Sequence, residues 1–174
     1  MKNEIEVIDN FLPDYYFKQL QSRLLGEYMP WFHNEYILEG HKGKNKRSQF
    51  MHVFYHITPE YNGETPVYSL VKDPFNLIRQ KLNVTKLHRI KANLRHKSFF
   101  NRSGGGYHVD YADDPHKNTA IFYINTNNGY TKFKNNGKVK SVENRMVVFP
   151  SHLMHQGYTC SDKLKRVVVN FNYD

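Results

Sequence analysis

A chain of 174 residues with 39% hydrophobic and 15% aromatic content has enough apolar matter for one packed core and too much for a disordered tail. No apolar run approaches the roughly twenty residues of a membrane helix, and Met1-Lys2-Asn3-Glu4 opens without the apolar segment of a secretory signal. The net charge of +9 is concentrated at His41-Lys42-Gly43-Lys44-Asn45-Lys46-Arg47 and along 86–97; it is compatible with an acidic partner, nucleic acid included, and equally with a solubilising basic loop.

In chain order, a short strand is predicted over 4–8. A helix follows, starting at Pro13-Asp14, with Tyr16, Phe17, Leu20 and Leu24 at three-to-four-residue spacing, and ending at Gly26. Residues 30–48, rich in Gly, Lys and Asn, read as a long loop, and 50–56 alternates like a strand. A second helical stretch covers 66–82, with Asp73-Pro74 marking a break or a fresh start. From residue 86 the pattern becomes a series of short strands: 87–94, 107–110, 119–125, 130–133, 138–142, 146–149 and 166–173. Asn127-Asn128-Gly129 and Asn135-Asn136-Gly137 are hairpin-turn signals between them. Helices first and antiparallel strands after predict a mostly β fold with N-terminal helices, a jelly roll in one domain over 1–174. Residues 1–85 would form helical support and a lid, and 86–174 the barrel core. One cysteine, Cys160, rules out an internal disulfide framework and suits a reducing, cytoplasmic setting.

Chemistry concentrates late in the chain. His108 and Asp110 are two apart, so on a strand both side chains reach one face and one ion. A second histidine must come from a distant strand. His155, which follows an apolar run and the Phe149-Pro150-Ser151 turn, fits that role, and His152 in the turn is its rival. Two imidazoles and one carboxylate form the facial set that holds Fe(II) with coordination positions open. Arg166, opening the final apolar run, can grip a carboxylate with two parallel hydrogen bonds, with neighbouring Lys165 facing the opposite way. Arg166, Val168 and Asn170 share a face of that strand, and Asn93 on the 89–94 segment is a further pocket candidate. His52, His56, His88, His96 and His116 read as solvated or satisfied core residues.

These segments carry a family resemblance over about half of the chain. Tyr107-His108-Val109-Asp110, Thr119-Ala120-Ile121-Phe122-Tyr123-Ile124-Asn125, Asn128-Gly129-Tyr130-Thr131-Lys132-Phe133 and Phe149-Pro150-Ser151, with a histidine six residues after the phenylalanine, resemble Fe(II)/2-oxoglutarate-dependent dioxygenases of the prolyl 4-hydroxylase-like branch. The opening Val7-Ile8-Asp9-Asn10-Phe11-Leu12-Pro13 is similar to the start of many members, with less specificity. The resemblance implies a double-stranded β-helix, with Fe(II) held by His108, Asp110 and His155. Its spacing selects His155 over His152. It implies that Arg166 and Tyr123 bind the remote carboxylate of the cosubstrate 2-oxoglutarate. The implied reaction consumes O2, hydroxylates an unactivated C–H bond, and releases succinate and CO2. Small relatives occur in bacteria and in viruses, so a virus-encoded enzyme acting in its host cell also fits. One departure stands out: Ser103-Gly104-Gly105-Gly106 lacks the tyrosine that some relatives place upstream of the first ligand, and its glycines suggest a flap.

The primary substrate stays open between a peptide, an amino acid and, less readily, nucleic acid; the segment 30–48 and Gly104–Gly106 are its expected lid. Two other readings share the ligand set: a Zn-dependent cupin-like hydrolase or isomerase, and a non-catalytic barrel whose basic loop binds nucleic acid.

Overall fold

The computed structural model describes residues 5–35, 48–58, 62–112 and 116–174. Its elements in chain order are β1 (Glu6–Ile8), α1 (Asp14–Leu25), β2 (Phe32–Asn34), β3 (Gln49–Ile57), β4 (Asn62–Glu64), a 3₁₀ turn (Pro66–Val71), α2 (Lys72–Lys81), β5 (Leu87–His96), β6 (Asn118–Tyr123), β7 (Tyr130–Phe133), β8 (Lys138–Lys140), β9 (Arg145–Pro150), β10 (His155–Tyr158) and β11 (Lys165–Tyr173). Eight strands form a major sheet in the order β1-β9-β6-β11-β5-β3-β2, with β4 beside β3, and β10-β7-β8 form a minor sheet. This is the antiparallel jelly roll expected from the strand-rich second half, with helices N-terminal to it.

Alternation along the strands divides the apolar residues between two cores. The outer face of the major sheet presents Phe54, Ile90, Ala92, Phe122, Val167, Val169 and Phe171 to the helices. There α1 inserts Phe17, Leu20 and Leu24, and α2 inserts Phe75 and Ile78. Edge-to-face rings lock the contact: Phe75 lies 5.0 Å from Phe54 and 5.5 Å from Phe171, and Phe17 lies 6.0 Å from Phe122. The inner face meets the minor sheet through Ile121, Tyr123, Phe133, Val147, Phe149 and Val168.

Strand register sets what faces the interior. Thr119 on β6, Asn172 on β11 and Arg89 on β5 stand opposite one another as one rung. Ile121, Asn170 and Lys91 form the next, and Tyr123, Val168 and Asn93 the third. Arg166 faces Arg95 at the far end. On β3, His56, Val53 and Met51 continue the three rungs opposite Arg89, Lys91 and Asn93. The inner floor is thus apolar under the minor sheet and polar to cationic on β5.

Three local expectations change, and one of the two turn signals holds. Residues 107–110 do not form a strand; His108 makes a single two-way bridge to His155, because one ladder rung is all that this loop supplies. Asn135-Asn136-Gly137 closes the β7–β8 hairpin, with Phe133 N–H donating to the Gly137 carbonyl at 2.9 Å and Gly137 at φ +79°. Asn127-Asn128-Gly129 closes no hairpin: it carries the chain from the major to the minor sheet, folded by an Asn127 side chain that accepts from Gly129 N–H at 2.9 Å. The expected loop 30–48 contains β2, while 36–47, with the basic cluster 41–47, lies outside the described residues.

Asn144 ties the N-terminal arm to the sheet. It is buried, sits at φ +56°, accepts from Leu12 N–H at 2.9 Å and donates to the Leu12 carbonyl at 2.8 Å. Replacing it with Ala strands two backbone groups and places a Cβ-bearing residue without local compensation in the left-handed region. Asn144→Ala is expected to cost about 2–4 kcal/mol in a denaturant titration; Asn144→Gly, which relieves only the backbone conformation, should recover less than half of that.

Candidate metal centre

His108, Asp110 and His155 each offer a ligand atom within 4.8 Å of the other two. The bridge between the histidines is made by two backbone hydrogen bonds, His108 N–H to the His155 carbonyl at 3.0 Å and His155 N–H to the His108 carbonyl at 2.9 Å. Their rings follow, with centroids 4.5 Å apart. His155 is 2% exposed, and its Nδ1 donates to the Leu153 carbonyl at 3.0 Å. That bond fixes the tautomer and leaves Nε2 as a lone-pair donor. His152 is exposed and outside this cluster. Burial, with His155 beside it, pushes the His108 imidazole down to about 4, so it is neutral and able to ligate at ordinary pH.

Asp110 is held by a chain of neutral donors. Its Oδ2 accepts from Thr119 Oγ1 at 2.8 Å and from Asn172 Nδ2 at 3.0 Å, while Thr119 Oγ1 lies 2.9 Å from Ser151 Oγ. Its backbone N–H donates to the Ser151 carbonyl at 3.1 Å. Arg89 Nε donates to Asn172 Oδ1 at 3.0 Å and its Nη2 stands 3.7 Å from Asp110 Oδ1. With Oδ2 occupied, Oδ1 is the oxygen turned to the histidines, 3.9 Å from His108 Nε2. Burial alone would raise this carboxyl, yet His155, Arg89 and His108 hold it below the usual carboxylate range. The donor set is therefore two imidazoles and one ionised carboxylate, which fits a divalent ion with open positions.

Arg166 is 4% exposed and points inward. Its Nε donates to Ser141 Oγ at 2.8 Å and one terminal nitrogen to Thr131 Oγ1 at 3.3 Å, and its Cζ lies 5.5 Å from the centroid of the Tyr123 ring. Lys165 faces the other way, and its Nζ donates to the Leu25 carbonyl at 2.7 Å. The close approach requires glycine at 129, where a Cβ would stand 2.7 Å from Arg166 Cδ and 2.9 Å from the Tyr158 carbonyl. Tyr123 is fully buried beside Arg166, and its hydroxyl donates to Thr131 Oγ1 at 2.8 Å rather than lying free for a ligand. Burial pulls the Arg166 pKa down, and no carboxylate is paired with its guanidinium among the described residues.

Asn93 is half-buried on the inner face, and its Oδ1, like that of Asn170, is buried with no hydrogen-bond partner among the described residues. The glycine segment is tied down at one end, where Gly104 N–H donates to the Gly157 carbonyl at 2.7 Å, and turns through Gly105 and Gly106 at φ +129° and +118°. Sequence reading missed Thr119, Ser151, Asn172 and Arg89 around Asp110, and Thr131 and Ser141 around Arg166. The one available signal was the alternation on 166–173, which places Asn172 on the Arg166 face. His52 is a satisfied core residue, with Nδ1 2.8 Å from the Pro30 carbonyl, and His88 pairs with Asp174 at 2.9 Å.

No family model and no curated protein matches the sequence. Solved structures do match over nearly the whole chain. A prolyl hydroxylase from Trichoplax adhaerens, in complex with a hypoxia inducible factor oxygen degradation domain peptide fragment, shares 17% identity at TM-score 0.62, covering 99% of this chain and 84% of its own. A 2OG-Fe(II) oxygenase family oxidoreductase from Burkholderia pseudomallei shares 7% at TM-score 0.67, covering 98% and 85%. The viral collagen prolyl hydroxylase of Paramecium Bursaria Chlorella virus-1 shares 15% at TM-score 0.55, covering 98% and 90%.

The depressed His108 pKa yields a pH signature in the metal-free protein. An unfolded histidine titrates near about 6.5, whereas native His108 titrates at about 4, so the unfolded chain binds more protons between these values. The stability this group contributes is complete above pH 6.5 and is lost as pH falls towards 4, on the order of 2–3 kcal/mol. Denaturation midpoints measured across pH 4–7 should show that slope, and His108→Asn should flatten it. The protein has the fold of the prolyl hydroxylases and other 2OG-Fe(II) oxygenases.

Proposed function

We propose that this protein is an Fe(II)- and 2-oxoglutarate-dependent oxygenase. It hydroxylates an unactivated C–H bond of a peptide or amino acid, with one oxygen atom of O2 entering the new hydroxyl and the other the carboxylate of succinate, as CO2 leaves. The observation that carries the reading is Arg166, a cation sealed inside the barrel among hydroxyls and an aromatic ring. A buried guanidinium without a carboxylate is costly, by several kcal/mol, unless an anionic ligand completes it. A zinc hydrolase with the same three ligands has no use for it.

His108, Asp110 and His155 would hold the ion, which supplies activation of O2 when bound. The Leu153 carbonyl fixes the His155 tautomer, and Thr119 and Asn172 keep Asp110 Oδ1 turned towards the histidines. Arg166 would bind the remote carboxylate of 2-oxoglutarate through its terminal nitrogens, with Ser141 holding Nε. Tyr123 orients Thr131, whose hydroxyl can donate to that carboxylate. Ile121, Val147 and Val168 pack in the apolar core under the minor sheet and would keep water from the bound cosubstrate. The fold of a prolyl hydroxylase solved with a peptide supports a peptide substrate. An Fe(II) site together with the single free, buried thiol of Cys160 suits the reducing cytoplasm of a cell or of a virus-infected host. No described helix is long and apolar enough to cross a membrane.

Anaerobic addition of Fe(II) and 2-oxoglutarate should give a visible charge-transfer band, and admission of O2 should release succinate. Arg166→Met should weaken 2-oxoglutarate binding by roughly 100-fold or more, from the 3–5 kcal/mol cost of breaking a buried pair, while metal affinity stays within about threefold. Intact metal loading with neither band nor succinate would overturn the assignment.

A further inference from the structure

The minor sheet covers only part of the major one. Its apolar contacts come from β6, β9 and β11, through Ile121, Tyr123, Val147, Phe149 and Val168, while β5 reaches it at its far end, where Arg95 donates to the Gly157 carbonyl at 3.3 Å. On the inner side of that remaining half, Arg89, Lys91, Met51, Val53 and His56 are half-buried, whereas their alternate neighbours Ile90, Ala92, His52 and Phe54 are buried in the outer core. This open floor begins at the metal centre, because Arg89 bonds Asn172 and stands 3.7 Å from Asp110.

The position of the cosubstrate under the proposed function leaves the same half for the substrate. A 2-oxoglutarate molecule held by Arg166 and the three ligands would lie along the β6–β11 side, under the minor sheet. The second reactant must approach the ion from β5 and β3. That approach is cationic: Arg89 and Lys91 share a face with His56 opposite Arg89 in register. Their positive field is strong enough to help hold the His56 imidazole below its ordinary range, after burial. One rung on, the Oδ1 atoms of Asn93 and Asn170 are buried acceptors without a described partner, which an N–H donor on the same ligand would satisfy.

We propose that the β3–β5 floor is the substrate-binding surface and selects a substrate bearing a carboxylate close to the carbon that is oxidised, received by Arg89 and Lys91. The inference rests on the oxygenase reading and adds the substrate class. A carboxylate matches the forked guanidinium, whose Nε is already fixed by Asn172, and the neutral neighbours Met51 and Val53 suit the aliphatic part of such a molecule. The carboxylate can belong to an acidic side chain of a peptide or to a free amino acid.

Equilibrium binding to the Mn(II)- and 2-oxoglutarate-loaded protein tests this. Fluorescence anisotropy would compare labelled proline-containing peptides flanked by Asp and Glu with the same peptides carrying Asn and Gln. Free glutamate, free glutamine and a single-stranded oligonucleotide serve as competitors. The acidic peptides should bind at least tenfold more tightly than their amides. Lys91→Gln should shrink that preference below about threefold, and Lys91→Glu should abolish it. The same loss of charge at exposed Lys163 should leave the preference intact. Displacement by free glutamate at a concentration where glutamine fails would assign the carboxylate to a small amino acid; its failure would assign it to a peptide side chain. Equal binding of acids and amides, a preference untouched by Lys91→Gln, or tighter binding of the oligonucleotide would overturn the proposal. Succinate release by the Fe(II) form, measured in parallel, separates the two levels. Acid-selective binding without succinate ends the oxygenase reading and leaves the carboxylate site standing, whereas succinate release with no acid preference ends this inference alone.

Discussion

Two backbone hydrogen bonds between His108 and His155 make the centre possible. They join a loop that forms no strand to the start of a strand in the minor sheet, and so bring the two imidazoles within one ion's reach. A single bridge is weak in isolation, each bond contributing about 1 kcal/mol. It persists because both partners are anchored independently. Ser151 receives the Asp110 N–H on one side of the bridge, and β10 pairs with β7 on the other. The remainder of the site is hung on this join: the ring tautomer set by Leu153, and the carboxylate oxygen turned inward by Thr119 and Asn172.

The electrostatics of the interior follow from which half of the floor is covered. Beneath the minor sheet the walls are apolar, so the Arg166 charge is desolvated and an anion bound there gains the full benefit of a low dielectric. Beyond its edge, Arg89 and Lys91 keep partial access to solvent and their attraction is softer and more adjustable. One barrel therefore offers two unlike anion environments on either side of the His108–Asp110–His155 cluster. Under the proposed function the first would receive the cosubstrate and the second the other reactant.

Much of this organisation could be read in the chain before its fold was known, for reasons that lie in local periodicity. An apolar run leading into the Pro150 turn before His155, and Arg166 in phase with Val168 and Asn170, are patterns that a strand imposes on its own residues; the two-residue spacing of His108 and Asp110 pointed to the same pair, although their segment is a loop held by one bridge and not the strand that spacing predicted. The helices were legible for the same reason, since Phe17, Leu20 and Leu24 fall on one stripe. What escaped was decided between strands. Thr119, Asn172 and Arg89 meet because three segments far apart in sequence pair in one register, and no spacing within any of them records that partner. Asn127-Asn128-Gly129 misled in a similar way: the same turn chemistry that closes a hairpin here steers the chain across to another sheet, so that Gly129 can lie against Arg166.

The account depends on three side chains gripping one divalent ion at the join. Crystals grown anaerobically with Fe(II) and 2-oxoglutarate, measured on both sides of the iron absorption edge, test that directly. The expected result is one anomalous peak bonded to His108 Nε2, Asp110 Oδ1 and His155 Nε2, with the cosubstrate's far carboxylate on Arg166. An iron peak elsewhere, or none at full occupancy of the cosubstrate, would contradict it.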